Sequence, residues 1–276
     1  MTSAALSVLV ALTMALVGRD DAAPTTRSPA ALQLDECELL ELSREFDADT
    51  VYWPGATKFG LKNLTHDRDG LYYAMFEYGA NEHGGSHMDA LRHFWKAGDT
   101  ADTVPLKKLI GEACVVSVGS AERTAADDYQ ISIQDIKDWE SENGEVDKGC
   151  VLLFNTGQAK FYSDKKAYLG GEIASDLHFP GLAPESARWL VENRQFKSVG
   201  FDTASVDYGP STTFESHVAL FSKGIPAFEN LANLERLPAR GATVVLLPMK
   251  IRDGSGDGRK SRRLEERRQD GSVPTS

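Results

Sequence analysis

Three histidines and an aspartate fall within eleven residues, His83-Gly-Gly-Ser-His87-Met-Asp89-Ala-Leu-Arg-His93, in a chain that holds only six histidines. Neutral imidazoles and a carboxylate are good ligands for Zn²⁺ or a similar divalent ion. A helix would put His83 and His87 on one face. The Gly84-Gly85 pair opposes that, since each glycine costs roughly 1 kcal/mol relative to alanine within a helix. The segment therefore reads as a turn feeding a short strand. On a strand His87 and Asp89 point the same way, and the turn folds His83 back toward them. His93 can approach the same point without being an obligatory ligand. A cluster this dense reads as a metal or catalytic site rather than a solvated polar loop.

The remaining composition narrows the class. At 276 residues the chain can form one large domain or two small ones, and its 41% hydrophobic and 26% charged content is ordinary for a globular protein. A net charge of −11 argues against nucleic acid or an anionic membrane surface as the main partner. No internal stretch is long and apolar enough to span a bilayer. The apolar run Ala4–Val17, followed by Ala22, Ala23 and Pro24, predicts a signal peptide over residues 1–23. It lacks a basic residue ahead of the apolar run. Cleavage near Ala23 would give a secreted protein with no membrane association after signal removal. Cys37, Cys114 and Cys150 are too few for a disulfide framework. Cys114 and Cys150 each lead an apolar run and read as buried thiols; one disulfide can form in an oxidising compartment, and the sequence does not choose the pair.

Residues 24–33 read as a flexible lead, with the folded domain over 34–258. Residues 49–55 (DTVYWPG) either present Tyr52 and Trp53 to a ligand or end a strand. Short β-branched runs at 113–119, 150–155, 197–202 and 242–248 read as buried strands. Helical signals lie between them: a capping-box pattern at Ser132-Ile-Gln-Asp135, proline at the first turn of a helix from Pro184 to about Asn193, and a short helix from Glu215 to Lys223 stopped by Gly224. Strands alternating with helices predict an α/β domain. Residues 259–270 hold six Lys/Arg and three Asp/Glu, so 259–276 reads as a disordered basic tail.

Two distant residues complete the picture. His217, in Phe214-Glu-Ser-His217, and Glu229, in Pro226-Ala-Phe-Glu229, are each ambiguous alone. Together with the first cluster they carry a resemblance. The pattern His83-x-x-x-His87-x-Asp89-x-x-x-His93-Phe94 resembles the metal-dependent cyclase family, which includes bacterial-type kynurenine formamidase and isatin hydrolase. Phe201-Asp-Thr-Ala-Ser-Val-Asp-Tyr-Gly-Pro-Ser211 is similar to a second signature of the isatin-hydrolase-like members. The twelve-residue spacing of His217 and Glu229 matches the family's distal pair, and Leu247-Pro-Met-Lys250 a late strand and turn. The likeness covers roughly residues 38–256.

That resemblance implies a swivelling β/β/α fold with a β-rich core and peripheral helices, usually in homodimers or homotetramers. His83, His87 and Asp89 would form the core of a zinc or manganese site. His217 and Glu229 would complete it or hold a second ion. His93 would be the acid–base residue and Trp53 a substrate-pocket aromatic. Two departures stand out: Leu91 replaces a proline common in the family, and the basic tail replaces a terminal apolar strand.

The implied reaction is hydrolysis of a small aryl amide, with His93 taking a proton from water and returning it to the leaving nitrogen. Kynurenine formamidase, which releases formate and kynurenine in tryptophan catabolism, is the first expectation. Isatin hydrolase, opening a lactam to isatinate, is the alternative. A catalytically silent secreted metal-binding protein is the reading from another class. No Gly-x-Ser-x-Gly elbow offers a serine route. His178 reads as a loop histidine and His66 as an exposed one.

Overall fold

The β-branched runs build the centre of one mixed sheet. The structure, a computed structural model, describes residues 12–18, 37–118 and 128–256. Its strands are β1 (Leu12–Gly18), β2 (Cys37–Glu41), β3 (Gly60–Asn63), β4 (His66–Arg68), β5 (Leu71–Tyr73), β6 (Phe76–Gly79), β7 (His87–Asp89), β8 (Ile110–Ser117), β9 (Gln130–Ile131), β10 (Cys150–Asn155), β11 (Gly181–Leu182), β12 (Ser198–Phe201), β13 (Ala227–Glu229) and β14 (Ala242–Leu247). The helices are α1 (Ile133–Asn143), α2 (Lys165–Leu169), α3 (Pro184–Asn193) and α4 (Glu215–Ser222).

Eight strands form the main sheet in the order β2-β1-β14-β8-β10-β12-β13-β7. The four from β8 to β13 run parallel, and α1, α3 and α4 lie in the connections between them, as parallel pairing requires. This is the α/β class the alternating pattern predicts. Both faces of the parallel region are covered, so Cys150 to Phe154 are all buried. Alternate residues serve opposite faces. Cys114, Val116, Leu152 and Phe154 pack with Ile136, Trp139, Leu190 and Leu220 from the helices. Ala113, Val115, Val151 and Leu153 pack with Met88, Phe228, Leu231 and Leu246 on the other side. Cys114 and Cys150, on neighbouring strands with Cα atoms 5.8 Å apart, are joined as a disulfide.

The predicted helix signals act as read. Ser132 and Asp135 form a reciprocal capping box on α1, and Pro184 opens α3. The apolar run read as a leader supplies β1, antiparallel to β2 from Met14↔Glu41 to Gly18↔Cys37 and to β14 from Leu12↔Leu247 to Val17↔Ala242. Cleavage near Ala23 would remove this strand and leave β2 without its neighbour in the sheet. With β1 in place, β14 is an interior strand. The basic tail, 259–276, lies outside the described residues.

Nothing in the sequence marked the two ribbons β3–β6 and β4–β5, which form an arm with Leu61, Leu71, Tyr72 and Phe76 each more than half exposed. Among the described residues no helix is long and apolar enough to cross a membrane.

Candidate active site

Register alone brings two of the predicted ligands together. Strand β7 pairs antiparallel with β13, so that His87 lies opposite Glu229 and Met88 opposite Phe228. The period of two sends Met88 and Phe228 into the core, while His87, Asp89 and Glu229 gather on the other face. All three are buried.

The turn before β7 requires its glycines. A Cβ on Gly84 would sit 2.0 Å from the Tyr52 ring, and Gly85 adopts φ +60°. Gly85 N–H donates to the Val51 carbonyl at 2.9 Å, and Tyr52 and Gly84 form an antiparallel bridge. The 49–55 loop is thereby pinned against the ligand turn, and Trp53 faces the same cavity as the histidines. Folded back by this turn, His83 places Nδ1 2.7 Å from Asp89 Oδ1.

His217 comes from the first turn of α4 and is aimed by Asp207, whose role the sequence did not reveal. The Asp207 carboxylate accepts from Ser216 N–H at 2.9 Å and His217 N–H at 3.2 Å, capping a helix whose own N-cap residue, Phe214, offers no side-chain bond. It also accepts from His217 Nδ1 at 2.6 Å. That fixes the tautomer and leaves Nε2 facing Glu229 Oε1 at 3.1 Å and Asp89 Oδ2 at 3.2 Å. Val206 N–H holds Glu229 Oε1 at 3.0 Å, so the 201–211 segment steadies both distal residues.

The five predicted ligands thus form two triads sharing Asp89: His83, His87 and Asp89, and Asp89, His217 and Glu229, each with donor atoms within 4.8 Å of one another. The donor set fits a divalent cation, and His87 supplies the test. Its Nδ1 bonds the Gly85 carbonyl at 2.9 Å, which places a proton there and leaves Nε2 as the nitrogen open to a cation. Nε2 is buried and makes no hydrogen bond, although Asp89 Oδ1 and Glu229 Oε2 lie 3.2 and 3.4 Å away. A ring nitrogen facing two carboxylates calls for positive charge between them, which a proton or a divalent ion supplies.

The electrostatics carry the same demand for positive charge. Burial works against a charged His87, yet the nearby Asp89 and Glu229 carboxylates outweigh it and hold its pKa well above the usual value. Burial likewise opposes a charged His217, and Asp207, Asp89 and Glu229 together raise it. Burial would raise Asp89, but the surrounding histidines hold it well below the usual carboxylate range. Burial and the Asp89 charge push Glu229 up, and His217 and His87 bring it down below its ordinary value.

His93 stands apart. It follows β7 in a short turn over Leu91–His93, closed by His93 N–H to the Ala90 carbonyl at 2.9 Å, with Leu91 buried. Its ring stacks on His83 at 3.8 Å, and Nε2 lies 3.9 Å from Asp89 Oδ2, beyond hydrogen-bond reach. Burial, the largest influence, lowers its pKa to about 4 despite the pull of Asp89. A neutral imidazole facing the cavity at pH 7 is a proton acceptor.

The cavity is about 330 Å³ and mostly apolar. Trp53, Phe94 and Phe214 form an aromatic wall over the ligands, Phe94 lying 4.9 Å from Phe214 and 4.5 Å from the His217 ring. Neither Lys nor Arg lines it among the described residues. Phe94 adjoined the recognised motif and Phe214 preceded His217, but nothing in their spacing marked them as wall residues. His178 pairs with Asp128 at 2.7 Å outside the cavity lining, and His66 stacks on Tyr73.

A mixed α/β sheet carries a three-histidine, two-carboxylate centre, buried except for the half-buried His83, beneath an aromatic cavity, an arrangement suited to a metal-dependent hydrolase. Residues 40–208 match the Cyclase family, described as "Putative cyclase", and the chain belongs to that family. It is 30% identical to isatin hydrolase of Roseibium aggregatum over 69% of this chain and 74% of that protein. It is 26% identical to kynurenine formamidase of Erythrobacter litoralis over 78% and 88%. The solved structure of isatin hydrolase A from Ralstonia solanacearum superposes with a TM-score of 0.72 at 25% identity, covering 79% of this chain and 88% of that one.

Proposed function

We propose that this protein hydrolyses a small aryl amide, with a divalent zinc or manganese ion held by His83, His87, Asp89, His217 and Glu229. The observation that carries this reading is the buried, unbonded His87 Nε2 facing two carboxylates. The shared Asp89 offers one oxygen to each triad, which suits one ion or two. When bound, such an ion supplies a nucleophile from water near neutral pH and polarises the scissile carbonyl. The chain's own residues do the rest. Trp53, Phe94 and Phe214 stack the aryl ring so that its carbonyl faces the ligands. His93 takes a proton from the attacking water and delivers it to the anilinic nitrogen as the C–N bond breaks. Asp207 keeps His217 in one tautomer.

Two substrates belong to this class: N-formylkynurenine, giving kynurenine and formate, and isatin, giving isatinate. One observation favours the second. N-formylkynurenine carries a free amino-acid carboxylate, and among the described residues the lining supplies no Lys or Arg to receive it. A compact neutral lactam leaves no charge unpaired against the aromatic wall. Comparing kcat/KM on both compounds with purified protein, with and without a chelator, tests the reading. Chelator-resistant hydrolysis would defeat the metal mechanism.

The exposed apolar arm of β3–β6 supports a homodimer or homotetramer, which sedimentation would detect. The buried Cys114–Cys150 disulfide fits the secretory route that the leader implies. N-terminal sequencing of the mature protein would decide whether Leu12–Gly18 is cleaved or retained as β1.

A further inference from the structure

We propose that Glu82 and Ser255 form a positioning relay that commits His83 to bind metal through Nδ1, the opposite nitrogen from that used by His87 and His217. The inference rests on the metal reading above and concerns two residues outside the ligand set. Glu82 is 4% exposed, and its carboxylate hydrogen-bonds Ser255 while Oε1 lies 3.9 Å from His83 Nε2. Oε1 accepts from the Ser255 hydroxyl at 2.5 Å, and Oε2 from Ser255 N–H at 3.1 Å. The lone hydroxyl proton of Ser255 is therefore committed to Glu82. Its oxygen, 3.1 Å from His83 Nε2, can only accept there. Nε2 must then carry a proton held by Ser255, and the proton that Nδ1 shares with Asp89 Oδ1 at 2.7 Å is the one a metal ion displaces, which makes Nδ1 the ligand atom facing the rest of the first triad.

The backbone around Ser255 holds this geometry. Its carbonyl accepts from Ala90 N–H, directly after the ligand Asp89, at 2.9 Å, and the Gly254 carbonyl accepts from Ala101 N–H at 2.9 Å. Gly256 bridges Asp89. A Cβ on Gly256 would lie 2.7 Å from His83 Cε1, and one on Gly254 3.1 Å from Glu82 Oε2, so the glycines let the segment close on the site. The three histidines are thus held by three different partners: a backbone carbonyl for His87, a carboxylate for His217, and a carboxylate acting through a hydroxyl for His83.

The test is a Zn²⁺ titration of metal-stripped protein labelled with ¹⁵N-histidine, following affinity by calorimetry and the His83 ring nitrogens by NMR. In the wild type, His83 Nε2 keeps its proton throughout and Nδ1 moves on binding. Ser255→Ala and Glu82→Gln lower Zn²⁺ affinity roughly 10-fold or more and mix the His83 tautomers, whereas Ser255→Thr, which keeps the hydroxyl, retains both properties. A purely structural role for Ser255 would not move the tautomer in a folded variant. Zn²⁺ on Nε2 of His83 overturns the proposal, as do wild-type affinity and tautomer in both Ser255→Ala and Glu82→Gln. Failure of the wild type to bind Zn²⁺ overturns the metal reading itself.

Discussion

Replacing Asp207 by asparagine separates the two tasks of that carboxylate. In the native site it accepts three hydrogen bonds, two from the start of α4 and one, at 2.6 Å, from His217 Nδ1. The asparagine carbonyl can still accept from Ser216 N–H and cap the helix. Its amide must then turn an NH₂ toward His217 Nδ1, a donor facing a donor. The imidazole relieves this by moving its proton to Nε2, the atom that faces Asp89 and Glu229. Loss of such a partner typically weakens metal binding or activity roughly 10- to 100-fold, about 1.4–2.7 kcal/mol. Asp207→Ala loses the cap as well, adding about 0.5–2 kcal/mol of destabilisation. Metal titration by calorimetry, kcat/KM on isatin and thermal unfolding give the three readouts. Asp207→Asn should keep most of its thermal stability and lose affinity and turnover, while Asp207→Ala loses all three. An asparagine variant with wild-type affinity and kcat/KM would refute the tautomer argument.

Three further outcomes follow from the same geometry. His93→Ala should reduce kcat by roughly 10²–10⁴-fold while metal content, measured by elemental analysis, stays at the wild-type level; equal loss of metal would make His93 a ligand instead. Because carboxylates hold His87 and His217 pKa values well above 6.5, an incoming ion must displace their protons, and metal affinity should climb as pH rises above 6.5; a flat affinity–pH profile would contradict the assigned ligands. Gly84→Ala drives a Cβ into the Tyr52 ring and should cost about 1–3 kcal/mol with a raised KM as the Trp53 loop shifts, visible in thermal melts and steady-state kinetics; an unchanged KM would detach that loop from the substrate.

How much of this was legible in the chain depends on the range of each interaction. The β7 turn and strand could be read because its determinants are local: two glycines that oppose helix and a two-residue spacing that aligns His87 with Asp89. The parallel strands were readable because burial on both faces leaves a continuous apolar run, as at Cys150–Phe154. Asp207 was not assignable. It acts on His217 ten residues away as a helix cap, and no periodicity marks a cap supplied from outside the helix. Ser255 was hidden for a stronger reason, since it meets His83 across 172 residues of chain. The arm at 60–79 escaped because its strands of three or four residues expose apolar side chains, against the alternation that marks a half-buried strand. The leader-like run shows the converse: a short apolar run suits a signal peptide and an interior strand equally, and composition cannot separate them.

The central claim is that two distant parts of the chain assemble one metal-dependent amide hydrolase. The most direct measurement strips purified protein with a chelator, restores Zn²⁺ or Mn²⁺ in steps, and follows isatin and N-formylkynurenine hydrolysis against bound metal. Activity should vanish on stripping and return in proportion to metal bound, with Glu229→Gln failing to recover. Undiminished hydrolysis by the metal-free protein would contradict it.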